Sequence, residues 1–525
     1  MTKQMNRFLM GAFLLTIAGI VSKALSAFYR IPLQNLTGDL GFYTYQQIYP
    51  IIATVMIISL YGFPVAISRM TIEELKVNRV LSFRSFIVPM FLVLLFFCAI
   101  FASALFLMAP TLSETMADSF LVRPLRLSAS LFLFVPFLSL YRGLAQGKLQ
   151  MEQVAYSQMM EQLLRVTIII LSAIFIGKGV LPVRSIAEAG IIASITGMVG
   201  AIVLLVFFFV RDDYRPKAHG ELVESFSVKK FIKTLFIFGI VASLNHLTLI
   251  FIQVIDAITL VPQLIKAGFT SMVAMEAKGV FDRGIPLIQF GAVLGSSFAL
   301  ALVPSLHKQM EKEDLHSIRE ALFVSMYVAS AATIGLILLY EEINILLFKD
   351  SLGTTVLQIL SLSIFLLSLS ITGNAILQGY GAVKWTVASL IIALFIKGIL
   401  NYTLIPRWET YGSAIATVGS LASLTLLTLY GMHRYIPIAI VKGFPLFRLL
   451  LTNGILFFYV CMVKYFIKAP LQSRALLLLY VFVVVVSGAF IYLLGLIRYH
   501  LVNERQIAML PFANQLMTLK ERIQK

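Results

Sequence analysis

Five cations stand in stretches of sequence that are otherwise oil-soluble: Lys23, Arg30, Arg165, Arg283 and Lys397. Three carboxylates share such stretches, Glu161, Asp256 and Asp282. A charge in hydrocarbon is costly, so by default it faces a cavity or a partner. The cations outnumber the carboxylates, and a basic cavity with low-dielectric walls attracts anions. Arginine's planar fork grips phosphate oxygens in pairs, while lysine supplies a point charge. The chemistry open to this set is anion binding, and a phosphate or pyrophosphate suits it. Cys98 and Cys461 lie in apolar runs as core thiols, so neither a disulfide framework nor a metal site is expected.

Each charge also has a plainer reading. Lys23 and Arg30 can snorkel to the interface. Glu161 and Arg165, spaced i, i+4, can pair on one helix face. Asp282 and its neighbour Arg283 can form a local ion pair, and Arg142 and Lys384 read as headgroup anchors at the ends of apolar stretches. Lys397 has no acidic residue three or four positions away, only Asn401 one turn on. An unpaired ammonium there costs about 2.5–3.5 kcal/mol. A water-filled cavity, an anionic cargo, or a distant carboxylate such as Asp256 or Glu161 would offset it. Asp256 has no base within four positions; it reads either as a residue that couples to a cation or proton or as a hydrogen-bonded structural carboxylate.

These charges sit in a chain that is 59% hydrophobic and only 13% charged, where roughly 25% charged is usual for a soluble domain. Apolar runs near the 20 residues that one helical crossing needs recur along its whole length. The reading is an all-α polytopic membrane protein with fourteen spans, at about 8–29, 43–66, 85–109, 122–144, 154–177, 186–210, 232–258, 272–303, 318–341, 354–379, 382–405, 411–432, 446–467 and 474–497. The formal charge of +17 does not point to nucleic acid, because lysines and arginines collect on alternate loops. Arg69, Lys76, Arg79 and Arg84 mark one such loop, and Lys229, Lys230 and Lys233 another. This positive-inside pattern predicts that both termini are cytoplasmic, as an even number of spans requires. No G-x-x-x-x-G-K-[ST] phosphate loop occurs, so ATP hydrolysis by this chain is not expected.

An internal repeat organises the spans. "LAQGKLQM" closes the fourth span and "ILQGYGAV" the tenth. Arg165 follows Gln146 by nineteen positions, as Lys397 follows Gln378. Pro182, Gly190 and Gly197 then match Pro406, Gly412 and Gly419. The spacing predicts two pseudo-symmetric six-helix lobes of shared orientation, with two further helices appended. By residue these are an N-lobe at 1–210, a cytoplasmic linker at 211–231, a C-lobe at 232–433, two helices within 434–497 and a cytoplasmic tail at 498–525. Parallel repeats of this kind enclose a central site that opens to one side and then the other.

Four stretches carry a family likeness: "GFPVAISRM" at 62–70, "SLYRGLAQGKLQM" at 139–151, "SQMMEQLLRV" at 157–166 and "GVFDRGIPLIQF" at 279–290. Together they resemble the polysaccharide-biosynthesis membrane proteins of the multidrug/oligosaccharidyl-lipid/polysaccharide exporter superfamily, and within it stage V sporulation protein B-like members and MurJ-type lipid II flippases. The resemblance implies a MATE/MurJ-like transporter, not an enzyme, in the bacterial cytoplasmic membrane. It implies a cargo of lipid-linked oligosaccharide pyrophosphate, undecaprenyl-linked lipid II first among them. Arg30 in "SKALSAFYR" and Arg283 fall in stretches whose arginines engage the lipid pyrophosphate in MurJ-type proteins, with Asp282 orienting Arg283. Lys23 departs from that family's usual arginine. No cofactor is expected beyond a coupling ion, sodium or proton, or the membrane potential. Membrane lipids and cell-wall synthesis enzymes are the expected partners of a chain working as a monomer. Another lipid-linked unit as cargo, a drug exporter and a wall-synthesis scaffold stand as alternatives.

Overall fold

The computed structural model describes residues 24–76, 81–211, 227–301, 312–436, 445–471 and 473–504, with isolated residues towards both ends; side chains are described up to Ser296 and again from Ile318. The described residues are helical throughout, joined by short turns, and hold no strand. They divide into two compact units, residues 1–286 with 397–413, and residues 287–396 with 414–525.

The first unit contains α1 (Arg30–Ile57), α2 (Phe63–Lys76), α3 (Val88–Thr115), α4 (Val122–Ala129), α5 (Val135–Gly147), α6 (Met151–Gly177), α7 (Ile186–Arg211), α8 (Val228–Thr234), α9 (Val241–Lys266) and α10 (Ser271–Asp282). The second contains most of α11 (Gly284–Ala301), then α12 (Lys312–Phe348), α13 (Thr354–Gly379), α14 (Val383–Tyr435) without its 397–413 stretch, α15 (Leu446–Phe466) and α16 (Arg474–Arg498). The first unit thus takes in 232–286 and 397–413, which the repeat assigns to the C-lobe. Packing and repeat divide the chain differently: Gln47 of α1 donates to the Ala257 carbonyl of α9 at 3.2 Å, and Arg283, just after α10, pairs with Asp39 of α1.

Burial is distributed as hydrocarbon solvent demands. Arg30, Arg142, Arg165 and Arg283 are among the largest fully buried side chains, while Phe458, Phe447 and Leu107 are about three-quarters exposed at 73%, 73% and 75%. A surface of this kind is solvated by lipid tails and would aggregate in water. Eleven helical stretches among the described residues are long and apolar enough to cross a membrane. Two of them, Ala24–Lys76 and Val383–Tyr435, are 53 residues long. At 1.5 Å per residue each runs about 80 Å, far beyond a core of about 30 Å. Both are broken. Gly38 adopts φ 71° and ψ −176°, and Glu409 adopts φ 52° and ψ −132°. The second break falls between the expected spans 382–405 and 411–432, and Pro406 beside it cannot continue a helical ladder.

In the second unit small hydroxyls and amides join neighbouring helices. Thr428 donates to Asn374 Oδ1 at 3.1 Å, and the Trp385 indole donates to the Leu427 carbonyl at 2.9 Å. Lys464 on α15 pairs with Glu342 on α12 at 2.8 Å. An apolar cluster including Tyr327, Leu339, Leu456, Val460 and Tyr492 fills the space between α12, α15 and α16.

Candidate functional site: paired charges and tyrosine-packed arginines

The intramembrane charges of the first unit form two kinds of environment. In the first, every cation meets a carboxylate. Arg283, fully buried at the start of α11, donates Nε to Asp39 Oδ1 at 2.9 Å and Nη2 to Asp39 Oδ2 at 2.7 Å. This is the bidentate geometry that makes an arginine–carboxylate pair strong and directional. Two glycines make it reachable. Gly38 takes a positive φ that a side chain would resist, which breaks α1 just before Asp39. Gly279, one turn before Arg283, lies so close to the Asp39 carbonyl that no Cβ would fit between them.

Asp282 does not orient Arg283. It pairs instead with Lys278, whose Nζ donates to Oδ2 at 2.6 Å, one turn back on α10. Adjacent residues on a helix point about 100° apart, whereas i and i+4 lie on one face, so the expected local pair with Arg283 loses to Lys278. Asp282 Oδ1 is buried with no hydrogen-bond partner among the described residues.

Glu161 and Arg165 do not pair with each other either. Glu161 Oε2 accepts from Arg142 Nη2 at 2.6 Å. Arg142 is completely buried, so it does not anchor to headgroups. Its Nε donates to Ser157 Oγ at 3.1 Å and its Nη1 to the Ser59 carbonyl at 3.3 Å. Ser59 lies in a π-helical turn, Ile58–Gly62, where the wider winding leaves carbonyls open to outside donors. Truncating one partner of such a buried pair strands the other and costs about 3–5 kcal/mol.

Lys397 finds the distant carboxylate that the sequence left open. Its Nζ lies 2.7 Å from Asp256 Oδ1, and it donates to the Ser413 carbonyl at 3.1 Å. The same Asp256 oxygen accepts from Asn401 at 3.0 Å and from Ser413 Oγ at 2.9 Å. Asp256 is therefore held by three donors, and Lys397 is neutralised in place. A further pair joins Arg184 to Asp118 at 2.8 Å, with Tyr43 donating to the same carboxylate at 3.3 Å.

The second environment is aromatic. Arg30, fully buried at the start of α1, places its guanidinium 4.0 Å from the Tyr49 ring centroid. Tyr29 and Tyr45 share a hydroxyl hydrogen bond of 2.5 Å, and the Tyr45 and Tyr49 rings lie 6.0 Å apart. Arg165 of α6 approaches the same trio, with its guanidinium 6.0 Å from the Tyr29 ring. It donates Nη2 to Gln162 Oε1 and Nη1 to Met56 Sδ, both at 2.5 Å, and its Nε has no hydrogen-bond partner among the described residues. Tyrosine faces hold guanidinium groups by cation–π attraction without neutralising them. Two arginines thus converge on one tyrosine trio, and two positive charges gathered in one place suit an anion. Lys23 lies outside the described residues.

Sequence reasoning missed Asp39, Lys278, the buried role of Arg142 and the tyrosine trio. The Lys278–Asp282 spacing was readable in advance, as an i, i+4 pair. The tyrosines do carry a signal, since Tyr45 and Tyr49 are one turn apart on one face and follow Arg30 in the same helix.

Residues 8–287 match the family model described as polysaccharide biosynthesis protein. The chain is 31% identical to the uncharacterised membrane protein YabM of Bacillus subtilis, over 98% of this chain and 96% of that one. It is 26% identical to the lipid II flippase MurJ of Bacillus subtilis, over 81% of this chain and 82% of the relative. Among solved structures, lipid II flippase MurJ in an inward closed conformation superposes with a TM-score of 0.65 at 13% identity, covering 92% of this chain and all of that one. The chain belongs to the polysaccharide biosynthesis protein family and is a multi-pass membrane protein with the fold of MurJ.

Proposed function

We propose that this member of the family is a flippase that carries an anionic lipid-linked cell-wall precursor across the bacterial cytoplasmic membrane by alternating access. The cargo we infer is lipid II, the undecaprenyl-pyrophosphate-linked peptidoglycan precursor. The observation that carries the reading is the basic site at Arg30 and Arg165. Its guanidinium groups face tyrosine rings, an amide oxygen and a thioether, so a pyrophosphate entering there gains charge-assisted hydrogen bonds without first having to displace a carboxylate from Arg165. The Arg283–Asp39 pair is the complement: a bidentate clasp between α1 and the start of α11 that opens and closes as access alternates, and whose arginine turns to the cargo when the clasp is open. The chain acts as a monomer with both termini in the cytoplasm and draws on the membrane potential or a coupling ion.

A cargo with a different lipid-linked oligosaccharide on the same pyrophosphate is the second reading, favoured by the broader description of the matching family. One experiment separates the two. Cells depleted of their lipid II flippases receive this chain as the sole replacement, and lipid II exposed on the outer leaflet is labelled. Restored exposure that is lost in Arg165→Ala supports lipid II as cargo. Growth arrest with lipid II retained inside, despite folded protein in the membrane, rejects it.

A further inference from the structure

We propose that the cavity between the ends of α2 and α5 binds the phosphate of an anionic phospholipid head. It has a volume of about 440 Å³, and its polar lining is Ser68, Arg69 and Lys76 of α2 with Gln146 of α5. Sites for small ligands are commonly of this size. The two helices meet closely beside it. A Cβ on Gly147 would stand 2.6 Å from the Thr71 side chain and 3.1 Å from the Ser68 carbonyl. The walls are therefore held in place by packing, while the space between them stays open.

The donors that line this cavity are unspent. Arg69 uses only Nε, on Glu73 Oε1 at 3.4 Å, so both Nη nitrogens lack a hydrogen bond among the described residues. Its guanidinium is held 3.7 Å over the Phe238 ring, which presets the fork. The side chains of Ser68, Lys76 and Gln146 make no hydrogen bond or ion pair among the described residues. Glu73 also lines the cavity, but its charge is engaged by Arg69 and, at 2.8 Å, by Lys230 of α8. Three cations against one carboxylate leave an excess of two positive charges, which draws an anion. An arginine fork beside a lysine matches a phosphate, two oxygens to the fork and the rest of the charge to the ammonium.

The rest of the lining selects a lipid over a free ion. Val65 and Ile72 face the same cavity, and Val65 is 36% exposed. A basic wall beside an apolar one, at the end of a membrane-crossing helix, suits a molecule charged at one end and greasy at the other. Basic pockets between transmembrane helices take phospholipid heads in this way. The site is separate from the arginine pair. Arg165 reaches Met56, thirteen positions before Arg69 on the same helical stretch, which is about 20 Å at 1.5 Å per residue. The lipid held here is thus a resident one, and the inference does not depend on the cargo.

The test titrates the full chain, purified in detergent, with phosphatidylglycerol, phosphatidylcholine or inorganic phosphate and follows the thermal midpoint. Phosphatidylglycerol should raise the wild-type midpoint by several degrees, saturably, and the other two should not. Lys76→Gln breaks no bond among the described residues, so its midpoint without lipid should equal the wild type's. It should need roughly fivefold more phosphatidylglycerol for the same rise, the share of one cation near a membrane surface. Arg69→Lys keeps the charge, loses the fork and should shift the titration in the same direction. Lys229→Gln removes an exposed cation outside the cavity and should titrate as the wild type does. An equal rise with phosphatidylcholine or inorganic phosphate overturns the proposal, as does a Lys76→Gln titration that matches the wild type's. So does a Lys229→Gln shift as large as that of Lys76→Gln, which would mean general attraction to a basic surface. Undecaprenyl pyrophosphate at equal concentration should leave the phosphatidylglycerol titration unchanged; displacement would give the cavity to the cargo and reject a resident lipid.

Discussion

Arg283 and Arg165 are both fully buried arginines in one compact unit, yet they are kept in the membrane by different means. Arg283 is neutralised by Asp39 in a two-bond clasp, and Arg142 and Lys397 are neutralised through single contacts with Glu161 and Asp256. Arg165 leans on the Tyr29 ring and on uncharged acceptors, and Arg30 stacks on the Tyr49 ring. The contrast separates two roles that the sequence merged into one list of cavity cations. A paired arginine is committed to structure or to a gate, since using it elsewhere strands a carboxylate. A tyrosine-packed arginine retains its charge for a visitor.

The widest break in that comparison comes from truncating a paired cation. Arg142→Met leaves Glu161 buried and alone, so unfolding should become easier by about 3–5 kcal/mol. The double variant Arg142→Met with Glu161→Leu should regain most of the loss, read from thermal midpoints in detergent. Equal stability of the single and double variants would show that the pair is not what stabilises this contact.

Arg165→Ala tests the other side. No carboxylate is abandoned, so the midpoint should shift little, whereas a lost charge-assisted bond of about 1.5–3 kcal/mol lowers cargo affinity roughly 10- to 150-fold. Binding of a lipid-pyrophosphate analogue to the purified protein measures it. A variant that unfolds as readily as Arg142→Met yet binds normally would move Arg165 into the structural class.

Gly279→Ala sharpens the account of the clasp. The new methyl meets the Asp39 carbonyl, so α10 must withdraw from α1, at about 1–3 kcal/mol for overpacking. A cysteine crosslink between the two helices should form more slowly in this variant than in wild type. Arg30→Lys is the smallest change expected, because charge is kept and only the fork and its stacking on Tyr49 are lost. It should weaken analogue binding less than Arg165→Ala does and leave stability unchanged. Binding equal to wild type would assign Arg30 a purely electrostatic part.

Much of this was legible in the residues themselves. Composition and the recurrence of apolar runs settled a polytopic helical membrane protein, because hydrocarbon permits few other solutions for a backbone. The motifs around Arg142, Arg165 and Arg283 were sufficient for the family. The rarity of charge in such stretches also singled out nearly the right cations, since each must be offset by something.

What offsets each cation was decided only in three dimensions. Arg283 and Asp39 are 244 positions apart, and Lys397 and Asp256 are far apart as well. Glu161 illustrates the reason most clearly. Its spacing from Arg165 allows a pair on one helix face, yet Arg142 from α5 arrives with three donors aimed at Ser59, Ser157 and Glu161 at once. Spacing along a helix fixes which side chains can meet on that helix. Which partner wins depends on how closely a second helix approaches and what carbonyls it leaves open, and that is a property of packing.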